Sequence, residues 1–185
     1  MKNGKLIVIS GASGVGKGTV LSLMMQKRDD LFFSVSATTR APRPGEVDGK
    51  HYFFISKECF EEMIKNDEFL EYDAHAANYY GTLRGQAEAK QKKGHVLLDI
   101  EPKGAAQVRK SAPDAILIFI MPPSIEELER RLRGRGDTSE DQIAMRMERA
   151  IWEMEQRTWY DYVVVNDDAQ RCAVEILSII SKLED

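Results

Sequence analysis

The chain has 185 residues, 43% hydrophobic and 30% charged, which suits one α/β domain with a substantial core. Its 26 Lys and Arg against 30 Asp and Glu leave a net charge of −4, the reverse of the basic surplus with which proteins grip phosphate backbones, so no nucleic acid partner is expected. No apolar run approaches the roughly 20 residues that span a bilayer, and Leu6–Ile9 is too short for the core of a signal peptide, so no membrane partner and a cytoplasmic location are expected.

Short apolar runs alternate with longer amphipathic stretches. Strands are predicted at Leu6–Ser10, Phe32–Ser36, Tyr52–Ile55, Val96–Ile100, Ala115–Ile120 and Tyr162–Val165. Several are apolar throughout, as in parallel strands covered on both faces. A helix carrying Val20, Leu23 and Met24 follows the first strand. Ser56 caps a helix with Phe60, Met63 and Ile64 on its apolar face. Ser124 with Glu127 reads as a capping box ahead of Ile125, Leu128 and Leu132, and that helix should stop near Gly134. Ser139 with Gln142 reads as a second capping box, ahead of Ile143, Met147, Ala150 and Met154. The last helix, about Ala169 to Leu183, shows Ala173, Ile176, Leu177 and Ile180. The fold class is therefore α/β, a mostly parallel sheet flanked by helices. The stretch from about Arg40 to Tyr80 breaks the alternation with aromatics, turn residues and short strands around one helix, and reads as an inserted subdomain. Cys59 and Cys172 lack metal-ligand spacing and read as two reduced thiols. His51, His75 and His95 are isolated and read as structural or surface residues.

The first strand runs into Gly11-Ala12-Ser13-Gly14-Val15-Gly16-Lys17-Gly18-Thr19, and a helix follows. This is the strand–loop–helix context of a phosphate-binding loop. Glycines let the backbone approach the ligand, the helix N-terminus adds partial positive charge, and Lys17 brings a mobile full charge to the β- and γ-phosphates of a nucleoside triphosphate. Gly18 stands where the general pattern has Ser or Thr, with Thr19 next. That Gly-Lys-Gly-Thr variant leans toward nucleoside monophosphate kinases.

A second anionic site is legible at Arg40 and Arg43, three apart in a stretch stiffened by Pro42 and Pro44. In a polyproline-like run such residues share a face, so both guanidinium groups can converge on one phosphate; two solvated loop arginines fit the spacing as well. Asp99 and Glu101 end an apolar strand, where open α/β sheets place ligands. Around Arg135, glycines on both sides suggest a hinge, while Glu126–Arg130, Glu127–Arg131 and Glu129–Arg133 are i,i+4 pairs of a helix surface.

The motifs GASGVGKGT, SATTRAPRPGEVDGKHY, FLEY, NYYGT, LLDIE, RLRGRGD and VVVNDD stand in an order and at a spacing that resemble guanylate kinases along nearly the whole chain. The resemblance implies transfer of the γ-phosphoryl group of ATP to GMP, and to dGMP, within purine nucleotide metabolism, with Mg²⁺ as cofactor. By position, it implies that Arg40, Arg43, Tyr52 and Tyr80 hold the GMP phosphate. Ser36, Glu71 and Thr82 would read guanine, and Asp99 would lie near GMP and organise Mg²⁺. Arg131, Arg135 and Arg146 would reach the transferring phosphates from a mobile lid, with Arg130 and Arg133 left on the surface. The implied layout is a core of about 1–35, 82–125 and 160–185, a GMP-binding subdomain of about 36–81 and a lid of about 126–159. By themselves Glu71 reads as an exposed strand residue and Tyr52 and Tyr80 as ordinary aromatics. The family usually has a hydrophobic residue then Gln-Gly-Ala after the strand-end acids; here Pro102-Lys103-Gly104-Ala105 stands there, which puts the local helix start in question. An intact Gly11, Gly16 and Lys17 disfavours a non-catalytic binding module of the same fold. Oligomeric state is not set by any motif.

Overall fold

The computed structural model describes residues 3–75, 77–134 and 139–184. It divides into two compact units: Met1–Val8 with Asp30–Ile116, and Ile9–Asp29 with Leu117–Asp185. Five strands form a sheet in the order β2-β7-β1-β8-β9, namely β1 (Leu6–Gly11), β2 (Leu31–Phe33), β7 (His95–Asp99), β8 (Ile116–Met121) and β9 (Tyr162–Val165). The β2–β7 and β8–β9 pairings are parallel. Ile7, Val8, Val96, Leu97, Leu117 and Phe119 are fully buried. Such unbroken apolar runs are what a sheet covered on both faces requires, and the fold is the α/β class expected.

In the first unit, β3 (Ser36–Thr38), β4 (Phe53–Phe54), β5 (Phe69–His75) and β6 (Asn78–Leu83) form a separate sheet in the order β4-β3-β6-β5. Helix α2 (Lys57–Lys65) is capped by Ser56, whose Oγ accepts from the Cys59 amide. It seats Phe60 in a small core with Ala37 and Phe69. The Phe60 ring stacks on Phe69 at 4.3 Å and on Tyr79 at 5.2 Å. Helices α3 (Arg84–Gln91) and α4 (Pro102–Ser111) complete this unit.

Phe32–Ser36, expected as one strand, is two. The chain leaves β2 at Phe33 and enters the other sheet at Ser36, because an apolar run does not specify which neighbour it pairs with. The β5–β6 hairpin was only foreshadowed as short strands. Its turn includes Ala77 at φ 67°, a left-handed position that a non-glycine residue adopts at a cost. Pro102 does not disturb the helix start. It is the first residue of α4, where its missing N–H has no intrahelical partner to lose.

In the second unit, α1 (Lys17–Lys27) packs with α7 (Ala169–Lys182), whose buried face is Cys172, Ala173, Ile176 and Ile180. Burial pushes the Cys172 thiol up to about 12, so it stays protonated and inert; both cysteines are free. Helix α5 is Ile125–Arg133 and α6 is Glu140–Glu155. Ser139 and Gln142 form the expected capping box. Ser124 and Glu127 do not: the Ser124 Oγ accepts from the Glu127 amide, but the Glu127 carboxylate turns to Arg130 and Arg131 instead. Charge-assisted bonds to two guanidinium groups outcompete one bond to a backbone amide. The same contacts correct the expected Glu126–Arg130 pair, since Arg130 takes Glu127. Glu129–Arg133 and Glu127–Arg131 form as expected.

Candidate functional site

Each unit carries a candidate site. In the second unit, β1 delivers Gly11 to the loop and α1 begins at Lys17. Gly14 and Gly16 take φ of 88° and 94°, the left-handed region that glycine enters without Cβ strain. A Cβ on Gly14 would also lie 2.6 Å from Leu132 Cδ2, and one on Gly16 would lie 2.8 Å from Asn166 Nδ2. The turn is therefore shaped both by its own torsions and by what packs on it.

Three side chains distant in sequence hold this loop. The Ser13 amide donates to Glu153 Oε2 at 2.8 Å, and Glu153 is only 3% exposed on α6. The Val15 carbonyl accepts from Asn166 Nδ2 at 2.8 Å and from Arg131 Nη1 at 3.0 Å. Arg131 also donates to the Asn166 carbonyl and to Glu127. Arg131 thus lies against the loop, and Glu127 and the two carbonyls fix its orientation. Glu153 and Asn166 were not legible as loop supports, because no local pattern links positions 140 and 151 residues away. Gly18 faces open space and Thr19 is exposed. Arg146 is half-buried on α6, with no hydrogen-bond or ion-pair partner among the described residues. Arg135 lies outside the described residues.

In the first unit, a cavity of about 300 Å³ is lined by Ser36, Tyr52, Glu71, Tyr80 and Asp99, all expected site residues, and by Asp73, Gly81, Ile100, Glu101 and Gly104. The strand registers explain the convergence. Ser36 on β3 stands opposite Thr82 on β6, and Thr82 stands opposite Glu71 on β5. Three strands thereby bring three polar side chains onto one line. Thr82 Oγ1 donates to Glu71 Oε1 at 2.6 Å, and the two residues are 1% and 7% exposed. Burial pushes the Glu71 carboxyl above its ordinary range; Thr82 opposes that shift, and nearby Asp73 and Glu101 add to it. A buried acid with a raised pKa, aimed into a cavity, is a candidate binding group.

At the rim, Arg40 is held by Glu46 through two bonds of 2.9 Å, and lies 5.5 Å from the centre of the Tyr52 ring. Tyr52 and Tyr80 meet edge to face at 6.1 Å. Glu46 also accepts from the Arg43 amide at 2.7 Å. The Arg40 guanidinium, then the Arg43 amide, hold the Glu46 carboxyl down to about 2. Glu46 was missed as a site residue; its position two residues after Pro44 gives no hint that it would turn back on Arg40. Arg43 itself is exposed and is not among the cavity-lining residues. Asp99 is exposed at the end of β7. His95 accepts from the Lys5 amide and His51 from the Val47 amide, the structural roles expected of them; the His75 side chain lies outside the described part of the structure.

The chain that carries this glycine-rich turn and this cavity around a buried acid resembles known proteins over nearly its whole length. A family model described as guanylate kinase matches residues 3–183. The guanylate kinase of Trichormus variabilis is 51% identical over 177 residues, covering 94% of this chain and 89% of that protein. That of Streptococcus thermophilus is 51% identical over 181 residues, covering 97% and 87%. The crystal structure of guanylate kinase from Anaplasma phagocytophilum matches with a TM-score of 0.74 at 33% identity, covering 98% of this chain and 86% of that one.

Proposed function

This chain belongs to the guanylate kinase family, and from that premise we propose that its two sites divide the work of an ATP:GMP phosphotransferase, Gly11–Thr19 holding ATP and the Glu71 cleft holding GMP. The observation that carries the assignment is the buried Glu71, held by Thr82 at 2.6 Å and lining a cavity large enough for a base.

Guanine offers its ring N–H and 2-amino group side by side, and a carboxylate such as Glu71 accepts both. Its carbonyl accepts from a hydroxyl, which Ser36 supplies, while the Thr82 hydroxyl gives its one proton to Glu71. Adenine presents an acceptor in place of the ring N–H and has no 2-amino group. AMP would leave a buried acid without its two ligand donors, and such sites reject mismatched analogues by roughly 10⁴-fold. Arg40, Arg43, Tyr52 and Tyr80 take the GMP phosphate. Arg40 is the preset member, because Glu46 already fixes its fork.

The reaction is in-line. A phosphate oxygen of GMP attacks the γ-phosphorus, the bond to the β-phosphate oxygen breaks, and ADP and GDP leave. The attacking oxygen is already ionised, so no general base is required. Positioning and charge neutralisation carry the catalysis. Lys17 serves the β- and γ-phosphates, and Arg131, Arg135 and Arg146 the group in transfer. Residues of about 36–81 act as the GMP-binding subdomain and about 126–159 as the lid, the rest forming the core.

Mg²⁺ is the companion of ATP in this reading. Carboxylate oxygen suits so hard a cation, and Asp99, exposed at a strand end, would hold it; bound, the ion would help neutralise the triphosphate. With Gly18 in the usual hydroxyl position, Thr19 carries the next hydroxyl in sequence. Among the described residues no helix is long and apolar enough to cross a membrane; we assign the enzyme to the cytoplasm, acting on the small molecules ATP and GMP.

The test is ADP formation from Mg²⁺-ATP with GMP, dGMP, AMP, CMP and UMP in turn, using Lys17→Ala and Glu71→Ala as controls. Strong preference for GMP, lost in Glu71→Ala, and near-abolished turnover in Lys17→Ala are expected. Preference for AMP or a pyrimidine would overturn the base assignment.

A further inference from the structure

Helix α4 lies along β5, the edge strand of its sheet. Its contacts come from one face, at positions 104, 107 and 111, the i, i+3, i+7 spacing of a helix. Gln107 treats the strand as a second strand would. Its Oε1 accepts from the Tyr72 amide at 3.1 Å, and its Nε2 donates to the Tyr72 carbonyl at 2.8 Å. One turn on, Ser111 Oγ donates to the Leu70 carbonyl at 2.7 Å. These bonds flank Glu71 in sequence, so the helix is pinned to the backbone on both sides of that residue.

Gly104 is the residue of this face that meets the Glu71 side chain. A Cβ there would lie 2.6 Å from Glu71 Oε2 and 3.2 Å from its carboxyl carbon. Gly104 does not have a positive φ, so its backbone does not require glycine, and glycine inside a helix is otherwise unfavourable. What asks for glycine is the carboxylate. Oε1 is held by Thr82 and Oε2 rests in the space that a methyl group would fill. Because Gln107 and Ser111 pin the helix, the flexible acid is what must yield to an added methyl.

We propose that α4 is the back wall of the base-reading site. Gly104 is a specificity-determining residue that leaves room for the Glu71 carboxylate, and Gln107 is a positioning residue that keeps the wall in place. This rests on the assignment of Glu71 to guanine. In that role Oε2 is the oxygen whose displacement most directly spoils a two-point contact with the ring N–H and the 2-amino group. The wall contributes no group to phosphoryl transfer and lies wholly within the first unit.

The experiment compares wild type, Gly104→Ala, Gln107→Ala and Lys103→Ala, an exposed neighbour on the same helix. It measures kcat/KM for GMP and for IMP, which has the ring N–H and carbonyl but no 2-amino group, and KM for ATP. Wild type is measured first: no preference for GMP over IMP would sink the Glu71 assignment itself, before the variants are read. Given that preference, Gly104→Ala is expected to cut the GMP-to-IMP ratio about tenfold or more, the scale of an ångström-sized misplacement. Its ATP KM should stay within about twofold and its melting temperature should not fall. Gln107→Ala should lower the same ratio by a smaller factor, and Lys103→Ala should leave it unchanged. Gln107→Ala carries the test if Gly104→Ala does not accumulate as folded protein. An unchanged ratio in Gly104→Ala, or in Gln107→Ala where it stands alone, overturns the proposal. A parallel loss of GMP, IMP and ATP affinity, with a lowered melting temperature, also overturns it, because that is general packing damage.

Discussion

Glu71 and Thr82 face each other across the β5–β6 ladder, hydroxyl to carboxylate at 2.6 Å, both almost sealed from solvent. On the proposed reading, that buried acid is the group that meets the guanine base. Glu71→Gln keeps the shape and removes the buried charge. It should lower kcat/KM for GMP about 100-fold or more, because an amide cannot accept two adjacent donors on one face with both its heteroatoms. The KM for ATP should hardly move. Steady-state kinetics with each substrate varied separately checks this.

The same acid sets a pH dependence. Its folded pKa lies above the ordinary value, chiefly through burial. Between those two values the folded protein holds a proton that the unfolded chain has released. Stability of the ligand-free enzyme therefore falls as pH rises through that window. Urea unfolding of wild type and Glu71→Gln from about pH 5 to about pH 8 should show this slope in wild type and its loss in the variant. A wild-type slope identical to that of the variant would remove Glu71 as the cause.

Glu46 has the opposite sign. Arg40 and the Arg43 amide hold its carboxyl at about 2, so the tie is complete above its ordinary range and is lost as pH falls toward 2. The pair is half-buried, so Glu46→Ala should cost a modest amount of stability. The KM for GMP should rise several-fold, because Arg40 loses the acceptor that fixes its fork, while the KM for ATP stays unchanged. Isothermal titration with GMP is the direct measurement.

Glu153 is the acceptor for the Ser13 amide in the phosphate loop. In Glu153→Ala that amide has no acceptor, at a cost of about 1–3 kcal/mol, and the loop loses its hold on α6. The KM for ATP should rise about tenfold with the KM for GMP unchanged. Glu153→Gln retains an acceptor oxygen and should recover most of the loss; failure of that rescue would point to the charge rather than the hydrogen bond.

Gly16→Ala tests the loop from within. The left-handed φ of 94° costs an L-residue about 1–2 kcal/mol, and the new methyl meets Asn166 Nδ2, itself a support of the Val15 carbonyl. A melting temperature lowered by several degrees and weakened ATP binding are expected together, by calorimetry and by nucleotide titration.

Much of this was legible in one dimension. The apolar runs of β1, β7 and β8 announced a sheet covered on both faces. Gly11–Thr19 announced its loop, because the glycine torsions that shape the turn act within the segment itself. Ser56 and the Ser139–Gln142 pair announced helix starts for the same reason: a cap closes within one turn. Glu71 was different. Nothing in Phe69-Leu70-Glu71-Tyr72 says that the acid is buried, and only motif resemblance gave it a role.

The tertiary structure decided what depends on pairing at a distance. Register across β3, β6 and β5 aligned Ser36, Thr82 and Glu71. The turn after Pro44 brought Glu46 back to Arg40, and α5, α6 and the end of β9 sent Arg131, Glu153 and Asn166 to one loop. The sequence by itself determined the local devices, since torsional preference, capping and apolar periodicity act over a few residues. Which oxygen meets which donor was decided only when strands tens of residues apart fell into register, because hydrogen bonds select by distance and angle rather than by position along the chain.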